Sequence, residues 1–316
     1  MVDEPTEEAV WHDRVLGLLL GGALGDAVGA PFEGALQVHP SHVDRVLAGP
    51  EPLRWTDDTA LQVALADYLA AHAGDAEVVD DDLVMALADA WRADPDRGYG
   101  PNPPRIFAAA LAGDDWRAHV RGAFGGGGSL GNGGAMRAAP VGVIPGGVRR
   151  IAEVARRSAA VTHAHPVGQE AAAAVAVAVH WGLRARQRPE GPEEVLAYCT
   201  AAVSTQELRN RLRAVRSVVG CTDPREAAMQ TGNGVAAHES VGAALTAALT
   251  HPDDPVAAIS YAVRMAGDTD TIAAIAGSIV GAWTGAQALP EGLVGRLEDR
   301  ARIQDVAARL AASTWR

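Results

Sequence analysis

The chain has 316 residues, 48% of them hydrophobic and 21% charged, with a formal net charge of -12. That balance suits a globular protein and argues against binding nucleic acid through the phosphate backbone. All 27 basic residues are Arg, which excludes a Schiff-base lysine and a P-loop lysine.

The first residues, Met1 to Glu8, are acidic and lack the basic segment of a signal peptide. Residues 1–9 are expected as a flexible arm before a domain spanning 10–316. A helix is expected over 12–24, at the start of an apolar run with glycines at 17, 21, 25 and 29, a four-residue spacing that permits close helix packing. Asp26 is its anomaly, either a buried structural acceptor or a partner of a site. Gly22, Gly25 and Gly29 do not form a dinucleotide fingerprint, because no strand precedes them. Pro31 should break the helix, leaving Glu33 as an exposed loop glutamate or a catalytic group.

Trp55-Thr56-Asp57-Asp58-Thr59 opens a second apolar helix over 58–73. Helices follow over 80–93 and 103–112, separated by the turn-rich stretch Asp94 to Pro101. The glycine-rich stretch 125–134 lets backbone amides approach a phosphate, and it carries Ser129 and Asn132. Further helices are predicted over 150–160, 166–185, 192–203, 205–216, 238–250, 254–266, 270–286 and 297–313. His163 and His165, two apart before Pro166, do not share a helix face and so do not pair for zinc. Ala, Leu and Arg dominate throughout, strand-type alternation is nearly absent, and the fold class is all-α. Cys199 and Cys221 are too few for a disulfide framework and suit inert thiols in a cytoplasmic protein. No apolar stretch free of Gly or charge reaches membrane-span length.

The second acidic cluster, Gly267-Asp268-Thr269-Asp270-Thr271, opens the helix at 270–286. Thr and Asp before an apolar run are ordinary N-caps. Capping uses one or two side chains, however, and each cluster offers three or four oxygens. Carboxylate and hydroxyl oxygens suit Mg²⁺, Mn²⁺ or Ca²⁺. An EF-hand is excluded, since Ala273 and Ile279 stand where that loop requires Gly and Glu.

Five ordered segments complete the picture: Gly17 to Glu33, Trp55 to Thr59, Gly131-Asn132-Gly133-Gly134-Ala135-Met136-Arg137 through Pro140, Thr162-His163, and Ala266 to Ala274. Together they resemble the ADP-ribosylglycohydrolases, a family that includes dinitrogenase-reductase-activating glycohydrolases and ADP-ribosyl-arginine and ADP-ribosyl-serine hydrolases. The resemblance implies a compact single-domain orthogonal helical bundle. It implies two divalent cations, Mg²⁺ or Mn²⁺, on Thr56, Asp57, Asp58, Asp268, Asp270 and Thr271. Glu33, Asp57 and Asp270 are implied as catalytic, and Ser129, Gly131, Asn132, Gly133 and His163 as substrate-binding. Arg137 either binds phosphate or braces its loop, and Tyr99 or Phe124 stacks on adenine. The substrate is then an ADP-ribosylated protein or a small ADP-ribose conjugate, handled by a monomer. Asp94 and Asp96 are candidate acceptors for a guanidinium, which favours an arginine linkage over serine-linked, base-linked or small-molecule conjugates. A non-enzymatic relative would have lost metal ligands, and all six positions are intact here.

Overall fold

The computed structural model describes residues 5–72, 79–184 and 191–315. Its centre is a pair of helices from opposite ends of the chain, α1 (Glu7–Gly29) and α14 (Thr269–Thr284). Thr6 starts α1 by accepting the Ala9 N–H at 3.2 Å. Helix therefore replaces the expected flexible arm from residue 7 onward, because a capping threonine lies inside the acidic segment. Residues 1–4 of that arm lie outside the described residues.

The glycines of α1 explain how these two helices meet. A Cβ at Gly21 or Gly25 would lie within 3.0 Å of the backbone carbonyl oxygens of Gly277 or Ala273. One at Gly29 would lie 2.5 Å from the Thr269 carbonyl. Backbone thus packs on backbone, and the Thr269 hydroxyl donates to the Gly29 carbonyl at 2.9 Å. This crossing holds the first turn of α14 against the last turn of α1. Glu7–Phe32 is long and apolar enough to cross a membrane by length and composition, but 78% of its apolar window is buried as the central helix.

Between them run α2 (Pro40–Ala48), α3 (Asp57–His72), α4 (Asp80–Ala93), α5 (Pro103–Ala112), α6 (Trp116–Gly122) and α7 (Val148–Ala160). Then come α8 (Pro166–Arg184), α9 (Pro192–Ala202), α10 (Gln206–Val218), α11 (Pro224–Thr231), α12 (Ala237–Thr250) and α13 (Pro255–Arg264). After α14 the chain ends in α15 (Glu291–Arg296) and α16 (Arg300–Thr314). Among the described residues there is no strand, only isolated bridges such as Ala35 with Gly267 and Gly131 with Ala236. The fold is an all-α bundle. Ala171 through Val179 of α8 are fully buried, as a run that is apolar all round requires.

Four helices escape the sequence periodicity: α2, α6, α11 and α15. All have nine residues or fewer, too short for an apolar face to repeat. Their starts are local instead: His39, Asp115 and Asp223 cap α2, α6 and α11. The final residues of the expected helices 58–73 and 166–185 lie outside the described residues.

Candidate active site in an acidic cleft

The first acidic cluster is relieved of capping by another helix. Asp26, fully buried on α1, accepts the Thr56 N–H at 3.0 and 2.9 Å, the Thr59 N–H at 3.0 Å and the Thr59 hydroxyl at 2.6 Å. It caps α3 from outside and leaves Asp57 and Asp58 unspent. The two alternatives for Asp26 thus merge, since a structural acceptor here aims the site. At α14 no side chain caps from Asp268, and one Asp270 oxygen accepts only the adjacent Thr271 N–H at 2.8 Å. Capping therefore does not account for either cluster.

The fold brings the clusters together. The hydroxyls of Thr56 and Thr271, more than two hundred residues apart, both donate to Asp58 Oδ2, at 3.4 and 3.2 Å. Asp58 Oδ1 is sealed from solvent and has no partner. Glu33, Asp268 and Asp270 each bring a carboxylate oxygen within 4.8 Å of the others. Asn132 Nδ2 donates to Asp268 Oδ2 and ties the glycine-rich loop to the centre.

So many carboxylates raise one another. Asp57 is pushed up to about 8, first by burial and then by the charges of Asp26 and Asp270. Asp268 also reaches about 8, from burial and then from Asp270. Asp58 rises well above the carboxylate range for the same reasons. Glu33 is raised chiefly by the Asp270 charge and secondarily by burial. Asp26 is raised by burial but only to about 6, because its three donors, the Thr59 hydroxyl first, oppose that burial.

A stability prediction follows with a definite sign. A carboxyl raised by folding binds protons in the folded state, so its contribution is complete below the usual 3.8 and lost as pH climbs through about 8. The metal-free protein is expected to melt several degrees lower at about pH 8.5 than at about pH 7, above the range where His238 and His251 titrate. Saturating Mn²⁺ should flatten that slope. A metal-free melting temperature that rises with pH over this interval contradicts the charge arrangement.

Around the carboxylates lies a cleft of about 260 Å³, lined on its far side by the glycine-rich loop and His163. Ser129 Oγ accepts the Gly131 N–H at 3.2 Å, and Asn132 N donates to the Val235 carbonyl at 3.1 Å. A Cβ at Gly133 would press to 3.1 Å from His163 Cε1, so glycine lets the loop lie on the imidazole. His165 turns away, accepting the Val167 N–H at 3.1 Å at the start of α8. Arg137 is a brace. It donates to the Gly133 carbonyl, to the Ser158 carbonyl at 3.0 Å and to the Thr162 hydroxyl at 2.7 Å. These bonds go to protein groups and, with a residue exposure of 1%, favour the bracing alternative.

Three expectations need correction. Tyr99 packs against the core with its hydroxyl sealed and unpartnered, and its ring is not on the cleft lining. Phe124 is 69% exposed on that lining, held out by a left-handed backbone at φ 53°. Asp94 is committed to Arg97 at 2.8 Å, and Asp96 is exposed and off the lining, so neither waits for a guanidinium. Arg97 also grips Glu298 at 2.7 and 3.1 Å and lies 3.7 Å over the Trp55 ring, while its carbonyl accepts the Asp57 N–H at 2.8 Å. Residues 94–97 thus brace the first cluster.

Asn233 is a site residue that sequence reasoning missed. Its carbonyl accepts the Asp268 N–H at 2.9 Å, and its side chain donates to the Met265 carbonyl at 2.8 Å. These bonds steady the left-handed pair Ala266 and Gly267, at φ 61° and 75°. The signal was present, since Gly232-Asn233-Gly234 repeats the Gly131-Asn132-Gly133 tripeptide.

A family model described as ADP-ribosylglycohydrolase matches residues 7–316. ADP-ribosylhydrolase ARH3 of Mus musculus is 34% identical over 319 residues, covering 88% of this chain and 85% of that protein. The Homo sapiens ARH3 is 32% identical, covering 88% and 87%. A solved structure described as an ADP-ribosylglycohydrolase-related protein complex superposes with a TM-score of 0.72 at 26% identity, covering 96% of this chain and 99% of that one.

Proposed function

Because the chain belongs to the ADP-ribosylglycohydrolase family, whose members hydrolyse a glycosidic bond, we propose that its acidic cleft is a two-cation site that releases ADP-ribose from a modified protein side chain. The convergence of two acidic clusters whose carboxylates are not spent on capping carries this reading. The donor set fits a hard divalent cation: the oxygens are carboxylate and hydroxyl, and Asp58 Oδ1 is buried with nothing to accept from. Thr56, Asp57, Asp58, Asp268, Asp270 and Thr271 would hold the ions, with Glu33 adjoining Asp268 and Asp270. When bound, Mg²⁺ or Mn²⁺ would neutralise these carboxylates and supply a Lewis acid for ribose hydroxyls.

The chain's own residues do the rest. Glu33, exposed beside the carboxylates, is placed to take a proton from the attacking water and to stabilise positive charge at the ribose C1″. Gly131 and Gly133 keep side chains out of the ligand's way, and Asn132 orients Asp268. Phe124 offers its face to adenine. The Phe124→Ala variant is expected to bind ADP-ribose about tenfold more weakly, the usual worth of one base stacked on an aromatic ring. Calorimetry checks this, and unchanged affinity would move adenine elsewhere.

Every carboxylate lining the cleft belongs to the cation set or is Glu33. With Asp94 engaged and Asp96 absent from the lining, no carboxylate beyond Glu33 and the cation set faces a guanidinium there. A leaving group without positive charge, such as a serine hydroxyl, therefore fits better than arginine. Release rates from arginine-, serine- and base-linked ADP-ribose decide the point, and a preference for arginine would overturn this linkage.

A further inference from the structure

His163 has two ring nitrogens with opposite situations. Nδ1 lies 2.7 Å from the Thr162 hydroxyl. Nε2 makes no hydrogen bond among the described residues and lies on the cleft side, under Gly131 and Gly133. The Thr162 hydroxyl also meets Arg137 Nη2 at 2.7 Å and the Ala159 carbonyl at 3.4 Å.

A guanidinium has only donors. Arg137 must therefore give a proton to Thr162 Oγ1, and the hydroxyl must spend its single proton elsewhere. The Ala159 carbonyl at 3.4 Å is a poor acceptor, whereas His163 Nδ1 at 2.7 Å has the normal length for a hydroxyl donor. Nδ1 is thus the acceptor, and the ring proton sits on Nε2.

We propose that Arg137 and Thr162 form a one-way hydrogen-bond relay that holds His163 in the Nε2–H tautomer, so that it faces bound ADP-ribose as a fixed N–H donor to a phosphate or ribose oxygen. The identity of the ligand rests on the proposed function; the tautomer does not. Arg137 supports this arrangement by its burial, since it is 1% exposed and its hydrogen bonds go to the Gly133 and Ser158 carbonyls and to Thr162. Burial, and secondarily the Arg137 charge, holds the imidazole neutral by lowering it to about 3. His163 is consequently neither a proton acceptor nor a general base in this cleft. Arg137 and Thr162 are positioning residues that act through it.

The test is a long-range ¹H–¹⁵N correlation spectrum of the histidine rings at neutral pH, with His163→Gln identifying the cross-peaks. The relay predicts a pyrrole-type Nε2 and a pyridine-type Nδ1 for His163 in the wild type. Thr162→Val removes the hydroxyl while keeping the shape, so both nitrogens should shift toward averaged values, and ADP-ribose should bind roughly three- to tenfold more weakly. Thr162→Ser keeps the hydroxyl and should restore both readouts. A merely structural threonine would not place the tautomer under control of the hydroxyl. A wild-type ring protonated on Nδ1, or on both nitrogens, would overturn the relay, as would a Thr162→Val spectrum and affinity identical to wild type. If the wild type shows the Nε2–H ring yet binds no ADP-ribose, the relay stands and the ligand assignment fails.

Discussion

Replacing Glu33 by Gln is expected to lower turnover on the order of a hundredfold while leaving the fold and cation binding in place. Gln keeps the size and hydrogen-bonding reach of the side chain and removes only its charge and its ability to take a proton. The residue is exposed after the break at Pro31, so nothing in the core depends on it. Its carboxylate nevertheless adjoins Asp268 and Asp270, and the Asp270 charge is the main cause of its raised pKa. A group in that position feels the charge of the centre directly. The measurement is kcat at saturating Mn²⁺ beside a cation-binding isotherm. Unchanged kcat would return Glu33 to an ordinary loop glutamate. A large loss of cation affinity would make it a ligand and not a base.

The second large effect is on the fold. Gly25→Ala adds one methyl group where α1 crosses α14, and that carbon would lie within 3.0 Å of the Ala273 carbonyl. Backbone cannot step aside as a flexible side chain can, so the helices must separate. A loss of about 3 kcal/mol or more in urea unfolding is expected, at the upper end of ordinary overpacking. Cation affinity should fall with it, since the crossing also sets Asp26 against α3 and Asp270 against Gly29. Gly122→Ala is the control: nothing lies within 4 Å of its added carbon, and φ there is -79°. That change should alter stability by less than about 1 kcal/mol. Equal effects at the two positions would mean the crossing is not tight.

Much of this site was visible in the sequence, for a local reason. Carboxylates crowded at a helix start announce themselves, and the glycines at 17, 21, 25 and 29 announce a close crossing. The role of Asp26 was open because its partners, Thr56 and Thr59, are about thirty residues away. Residues 94–97 misled for a similar reason. An aspartate in a turn looks available until Arg97, itself held by Glu298 two hundred residues away, is seen to close on it. The choice between Tyr99 and Phe124 depended on which ring the fold leaves exposed. The short helices α2, α6, α11 and α15 carry too few turns to show a period.

In the proposed two-cation site the joined acidic clusters hold divalent cations and cleave a glycosidic bond of ADP-ribose. The most direct test is the release of free ADP-ribose from modified protein by the wild-type enzyme, first metal-stripped with a chelator and then resupplied with Mg²⁺ or Mn²⁺. The stripped enzyme should release none, and resupply should restore release. Undiminished release under chelation, or no release from any linkage with metal present, would contradict this chemistry.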